Sequence, residues 1–215
     1  MEMICGYVLT KSYMKKARCV TLYNPQSQKI VRIVSDEDCS PIPEVIAEQF
    51  NVLDYIEATV IARCPKGPQQ ENIYVDCSSI CIVSDKRHSE SQRSFLGRIY
   101  LLSHCKLWLE NQTSFMNNNA YAMDSVEEYD HSVELVYAKN LVLKKEHGKI
   151  KAYFSSESGF HKHYSVTDPV YLKRCSETQE EIQFEKSYLI VSIPAEPFEK
   201  DGQYYKFIAA IYPVS

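Results

Sequence analysis

Along most of this chain apolar residues recur at every second position, and that period commits a segment to a strand with one buried face. Residues 4–9, 17–23 and 29–34 carry the pattern, with Asn24-Pro25 supplying turn chemistry between the second and third. Pro41 and Pro43 punctuate residues 40–49, which read as a weak short helix or a loop. Residues 54–63 make a strong strand that Cys64-Pro65-Lys66-Gly67-Pro68 stops, and short strands follow at 73–75 and 80–83.

The period changes once. Over residues 94–110, Phe95, Ile99 and Leu102 fall at helical spacing, and Leu101, Cys105, Trp108 and Leu109 widen the stripe. An Asn-rich loop at 112–119 follows, and Asp124, Glu127, Glu128 and Asp130 mark a solvated turn. Strands resume at 133–137, 141–143, 149–154 and 161–166, with a turn at Glu146-His147-Gly148. Thr167-Asp168-Pro169 breaks the last of these and leads to a short turn of helix or strand at 170–173. Residues 187–193 and 203–211 read as a closing antiparallel pair. Many short strands with regular turns point to small barrels. The chain is therefore expected to be all-β with a minor helical part: two tandem OB-like small β-barrels joined by one helix. The expected divisions are a barrel at 1–85, a helical and polar-loop connection at 86–130, and a barrel at 131–215. No residue-level repeat links the halves, so any duplication is one of architecture.

Composition sets limits on function. The 215 residues carry 24 Lys and Arg against 28 Asp and Glu, a net charge of −4, which excludes a uniformly basic nucleic-acid binder but not a locally basic one. No window approaches 18 apolar residues, and residues 1–6 lack a charged start to an apolar core, so neither a membrane span nor a secretory leader is expected, and the expected location is cytoplasmic. A chain of this length buries roughly 70% of its unfolded surface and needs no covalent staple. The eight cysteines include no Cys-x-x-Cys pair, and beside apolar neighbours, as in Arg18-Cys19-Val20, they read as reduced, small buried hydrophobes.

Several stretches carry a resemblance. Val8-Leu9-Thr10-Lys11-Ser12, then Arg18-Cys19-Val20 and Ile30-Val31-Arg32-Ile33-Val34, open the chain. Val166-Thr167-Asp168-Pro169, Tyr188-Leu189-Ile190-Val191-Ser192-Ile193 and Tyr204-Tyr205-Lys206-Phe207-Ile208-Ala209-Ala210-Ile211 close it. Together they resemble the dual OB-containing domain, a bacterial family with two OB-like barrels in tandem. Ile193-Pro194-Ala195 departs from the Gly-containing turn of that pattern, and the helix and Asn-rich loop have no counterpart in it. The resemblance implies a non-enzymatic nucleic-acid-binding module, of a kind associated with prokaryotic antiviral defence systems. No cofactor is expected.

Charge placement is compatible with that implication. Residues 3–35 hold six basic residues, Lys11, Lys15, Lys16, Arg18, Lys29 and Arg32, and no acid. Residues 139–174 hold eight basic residues against three acids, with His147, His161 and His163 among them. Aromatics interleave with both clusters, as a single-strand groove requires: stacking platforms beside a basic track. The expected contacts are Lys11, Tyr13, Lys15, Lys16, Arg18 and Arg32 in the first half. In the second they are Lys149, Lys151, Tyr153, Lys162 and Tyr164. Lys15-Lys16, between the first two strands, is the strongest pair, because that loop borders the binding face of an OB barrel. The expected partner is single-stranded nucleic acid. The alternative is a protein–protein interaction module whose barrels dock a partner enzyme or phage protein within a defence complex, which exposed apolar residues on the helix at 95–109 would favour.

Catalytic patterns are weaker. His161 and His163 share one strand face and could hold a metal, but a third ligand is not evident, and Asp168 reads as a turn former before Pro169. His104 and Cys105, adjacent on a helix, cannot face each other as a nucleophile and base. P-loop and dinucleotide glycine patterns are absent.

Overall fold

The computed structural model describes residues 2–83, 91–102, 120–121, 131–156, 161–178 and 180–214. The expected helix beyond residue 102, with Ser103, His104 and Cys105, lies outside them. So do the loop at 112–119 and the acidic turn at 124–130. The chain divides into two compact units, Met1–Ser103 and His104–Ser215. The first holds β1 (Met3–Met14), β2 (Ala17–Asn24), β3 (Lys29–Val34), β4 (Ile42–Pro43), α1 (Glu44–Ala47), β5 (Tyr55–Arg63), β6 (Asn72–Val75), β7 (Cys81–Ile82) and α2 (Gln92–Leu102). The second holds β8 (Ala120–Tyr121), β9 (Val133–Glu146), β10 (Lys149–Ser155), β11 (His161–Val166), α3 (Pro169–Glu177), β12 (Ile182–Ser192), β13 (Tyr204–Tyr205) and β14 (Phe207–Pro213).

Each ring is closed by one strand too long to serve a single neighbour. β1 pairs with β5 through residues 3–7 and with β2 through residues 7–14, and its register shifts between Val8 and Thr10 where it changes partner. β9 pairs with β12 through residues 133–143 and with β10 through residues 139–146. The expected strands at 133–137 and 141–143 are thus one strand. Asn140, at φ 53°, lies in the left-handed region that Asn tolerates.

The two rings share one topology. The first runs β1-β2-β3-β6-β5 and back to β1, and the second runs β9-β10-β11-β14-β12 and back to β9. In each, the third and fifth ring strands are parallel (β3 with β6, β11 with β14) and a helix precedes the fourth. This is a five-stranded OB-type barrel built twice, so the duplication is architectural. Val8, Val20, Leu22, Ile33, Ile56 and Val75 fill the first barrel. Leu141, Leu143, Ile150, Phe154, Leu189 and Ile208 fill the second. Each such side chain contributes about 1.5–3 kcal/mol by leaving water.

The structure adds to or changes the expectations at three places. First, α2 does more than join the two barrels. Its Phe95 packs edge-on against Tyr7 at 4.7 Å, and Tyr7 packs against Tyr55 at 4.8 Å, so the helix completes the first unit beyond residue 85. Second, Cys39 and Cys64 form a disulfide, Cα atoms 6.1 Å apart, tying the loop after β3 to the end of β5. Twenty-five residues of separation hid that pair from any reading of local neighbours. Of the other described cysteines only Cys175 is buried. Third, residues 170–173 lie inside the nine-residue α3.

Asp168 does more than turn the chain. One carboxylate oxygen accepts the N–H groups of Val170 (2.9 Å) and Tyr171 (3.4 Å), capping α3 with Pro169 in its first turn. The other accepts the N–H of Ile211 at 2.8 Å, joining the helix start to β14. Burial raises the Asp168 pKa, and these three backbone bonds oppose the rise.

The second barrel also buries an amine. Lys206 is 1% exposed, its Nζ lies 5.7 Å from the Tyr164 ring centroid, and burial followed by the charge of Lys162 lowers its pKa to about 6, against the pull of Glu134. Among the described residues no helix is long and apolar enough to cross a membrane.

Two outcomes follow for stability. Asp168→Ala removes the cap and strands the buried Ile211 N–H, so urea unfolding should show a loss of about 2–4 kcal/mol. Asp168→Asn, which keeps an acceptor, should lose less; an Ala variant within about 0.5 kcal/mol of wild type contradicts the role. For Lys206, the unfolded chain holds a proton up to the ordinary pKa of 10.5, while the folded chain releases it at about 6. The unfolded state therefore binds more protons between those values, and this group's contribution to stability rises with pH across that window. Lys206→Met should raise the thermal midpoint at pH 7 by more than at pH 10. A pH-independent difference, or a lower midpoint, contradicts the assignment.

Candidate nucleic-acid interface

Alternation sorts the side chains of β10 and β11 onto two faces. Ile150, Ala152, Phe154, Tyr164 and Val166 enter the core. Lys149, Lys151, Tyr153 and Ser155 therefore stand outside β10, and His161, His163 and Ser165 outside β11. Leu141 and Leu143 point inward from β9, which puts Val142, Lys144 and Glu146 on the same outer surface. Strand register then aligns Lys144, Lys151 and Ser165 in one row, and Val142, Tyr153 and His163 in the next.

Polar contacts knit these rows together. Lys151 Nζ donates to Ser165 Oγ at 2.9 Å. The Tyr153 hydroxyl lies 2.7 Å from each carboxylate oxygen of Glu146, to which it donates. Lys144 Nζ lies 5.5 Å from the Tyr153 ring centroid, and His163 lies near-parallel to that ring, 13° between planes and 5.5 Å between centroids. Lys144 also pairs with Glu181 at 3.2 Å, an exposed contact worth little. His161 Nδ1 is 3.2 Å from Ser155 Oγ. The hairpin turn at the end of this surface places His147 at φ 47° and Gly148 at φ 77°, as a two-residue turn with both centres left-handed requires.

The electrostatics are those of a partly desolvated cationic surface. Burial, then the charge of Lys149, lowers the Lys151 pKa. Burial, then Lys151, lowers that of His163, which favours its neutral ring. The bond to Glu146 raises the Tyr153 pKa, so the phenol keeps its proton. Such a surface offers fixed rings for stacking beside ammonium groups for phosphate. Its two rings stand on the second and third strands of the barrel, the face on which OB-type barrels bind oligonucleotides.

The structure brings together Lys149, Lys151 and Tyr153 of the expected set. Lys162 and Tyr164 are corrections: both are buried, on the opposite side of the sheet from that surface. One residue of phase moves a side chain across a strand. Val166 fixes the phase, and counting back by twos places Tyr164 and Lys162 inside with it. Glu146 and His163 fall outside the expected set, though the same counting turns His163 outward; the strand register then sets it beside Tyr153.

The first barrel distributes its expected residues differently. Tyr13, Lys15 and Lys16 are exposed at the β1–β2 turn, where Lys15 sits at φ 45°. Arg18 lies over the Tyr13 ring, 5.4 Å from its centroid, and forms an ion pair with Glu44. Lys11 Nζ donates to the carbonyls of Ala47 (2.9 Å) and Phe50 (2.5 Å), which makes it a clamp at the end of α1. Arg32 is a further correction: it is buried, pairs with Glu71 at 3.3 Å and contacts Cys19 Sγ. Thr21 and Tyr23 are buried on the same strand pair. Among the described residues no three His, Cys, Asp or Glu side chains gather as a metal-ligand set.

The family model described as the dual OB-containing domain matches residues 1–211. No curated protein matches the chain.

The placement has a direct check. An amine-acylating reagent read by peptide mass spectrometry should modify Lys149 before Lys162 in the folded protein. Equal modification of the two would contradict the phase assigned to β10 and β11.

Proposed function

The chain belongs to the dual OB-containing domain family, and on that premise we propose that it is a non-enzymatic module binding single-stranded DNA or RNA on the outer surface of β9, β10 and β11. One observation carries the reading. Tyr153 and His163 form a near-parallel ring pair on the second and third strands of an OB-type barrel, with Lys144, Lys149 and Lys151 around it. Stacking is worth about 1–3 kcal/mol per base, and the lysines add a salt-dependent term. Tyr13, Lys15 and Lys16 at the β1–β2 turn are a subsidiary contact of the first barrel.

The docking alternative has one supporting observation, Leu101, which is 77% exposed on α2, but Phe95, Leu96 and Ile99 of that helix are buried. A place in an antiviral defence system, with a protein partner, is proposed on the family resemblance alone.

Fluorescence anisotropy with labelled single strands and duplex, across a salt series, tests the reading. Three lysines give a slope of log affinity on log salt near −2, at about 0.7 per phosphate. Lys149→Glu with Lys151→Glu should weaken binding and flatten the slope. Tyr153→Ala should lose about 1–3 kcal/mol with little change in slope. Absence of binding to any strand at low salt overturns the proposal.

A further inference from the structure

The surface contains a group that charge alone would exclude. Glu146 places a carboxylate among Lys144, Lys149 and Lys151, where it repels phosphate. Both of its oxygens face the Tyr153 hydroxyl at 2.7 Å. The Tyr153 ring has Lys144 against it at 5.5 Å and His163 alongside at 13°. The hydroxyl end of the ring is therefore anchored by Glu146, and the ring itself by its cationic and aromatic neighbours.

We propose that Glu146 is a positioning residue for nucleic-acid binding, holding the Tyr153 ring in the orientation that accepts a base. The inference rests on the single-strand reading above. Glu146 acts through Tyr153 and need not touch the ligand. A ring already immobilised loses less freedom when a base stacks on it. That gain needs an unstacked base, so it favours single strands over duplex. The carboxylate opposes binding through its charge and favours it through the hydrogen bond. The two contributions separate chemically, because a glutamine carbonyl can accept the same bond without the charge.

The test is anisotropy of the full chain with a fluorescein-labelled thymidine oligonucleotide of about 15 nucleotides, near the upper site size of one OB fold. Glu146→Ala, Glu146→Gln and Tyr153→Phe are compared at low salt and at about 0.5 M, where exposed charges are screened within roughly 4–5 Å. Glu146→Ala should bind about 2- to 10-fold more weakly at high salt, the range expected for one side chain that must be immobilised on binding. Glu146→Gln should bind at least as tightly as wild type. In a Tyr153→Phe background, which lacks the hydroxyl, Glu146→Ala should weaken binding no further. Thermal midpoints for each variant separate misfolding from loss of positioning. If Glu146→Ala binds as tightly as wild type or tighter at both salts, the inference fails while the single-strand reading stands. Further weakening in the Tyr153→Phe background also overturns it, since Glu146 would then act by another route. If wild type binds no strand, the underlying reading itself has failed.

Discussion

Closure of the second barrel sets the phase of β10 and β11, and the outer surface depends on that phase. A strand with both edges paired in a ring cannot slip by one residue without turning its apolar set to water. With Ile150, Ala152 and Phe154 held inside, Lys149, Lys151 and Tyr153 have only the outside left. β11 obeys the same constraint, so Val166 and Tyr164 commit His163 to stand beside Tyr153. Asp168 supports the arrangement from the strand end, since one buried carboxylate starts α3 and holds the backbone of β14. The composition of that outer surface is thus a consequence of core packing.

The same topology yields a different surface in the first barrel. Its second and third strands bury Thr21, Tyr23 and Arg32, and Arg32 is committed to Glu71 and Cys19. Nearby, α2 sets Phe95 on Tyr7. Basic residues that look equivalent along the chain thus have different fates. Lys11 clamps α1, Arg18 pairs with Glu44, and Lys15 and Lys16 stay in solvent. An OB frame fixes where a ligand face lies; the side chains decide whether that face is open.

Much of the fold was legible because period-two alternation is a local signal. The ranges for β3 and β11 agree with the sequence reading, and both barrels are present. What was not legible depends on distance or on phase. The Cys39–Cys64 disulfide joins loops whose approach is set by the ring, and neither flank announces it. Lys162 and Tyr164 look like exposed binding residues by type, and only their phase relative to Val166 puts them inside. Glu146 reads as a turn residue before His147-Gly148, and its role needs the four-residue diagonal from its row to Tyr153. Asp168 was visible as a breaker, but its bond to Ile211, 43 residues away, was not.

The most direct test of the central claim is a backbone amide NMR titration of the full chain with a single-stranded thymidine oligonucleotide. The account predicts that the largest shifts fall on the outward positions of β10 and β11 and on residues 142–148. The inward positions of β10 and β11 should move less, and the β2–β3 face of the first barrel least. Shifts concentrated on that first-barrel face, or none anywhere at saturating oligonucleotide, would contradict it.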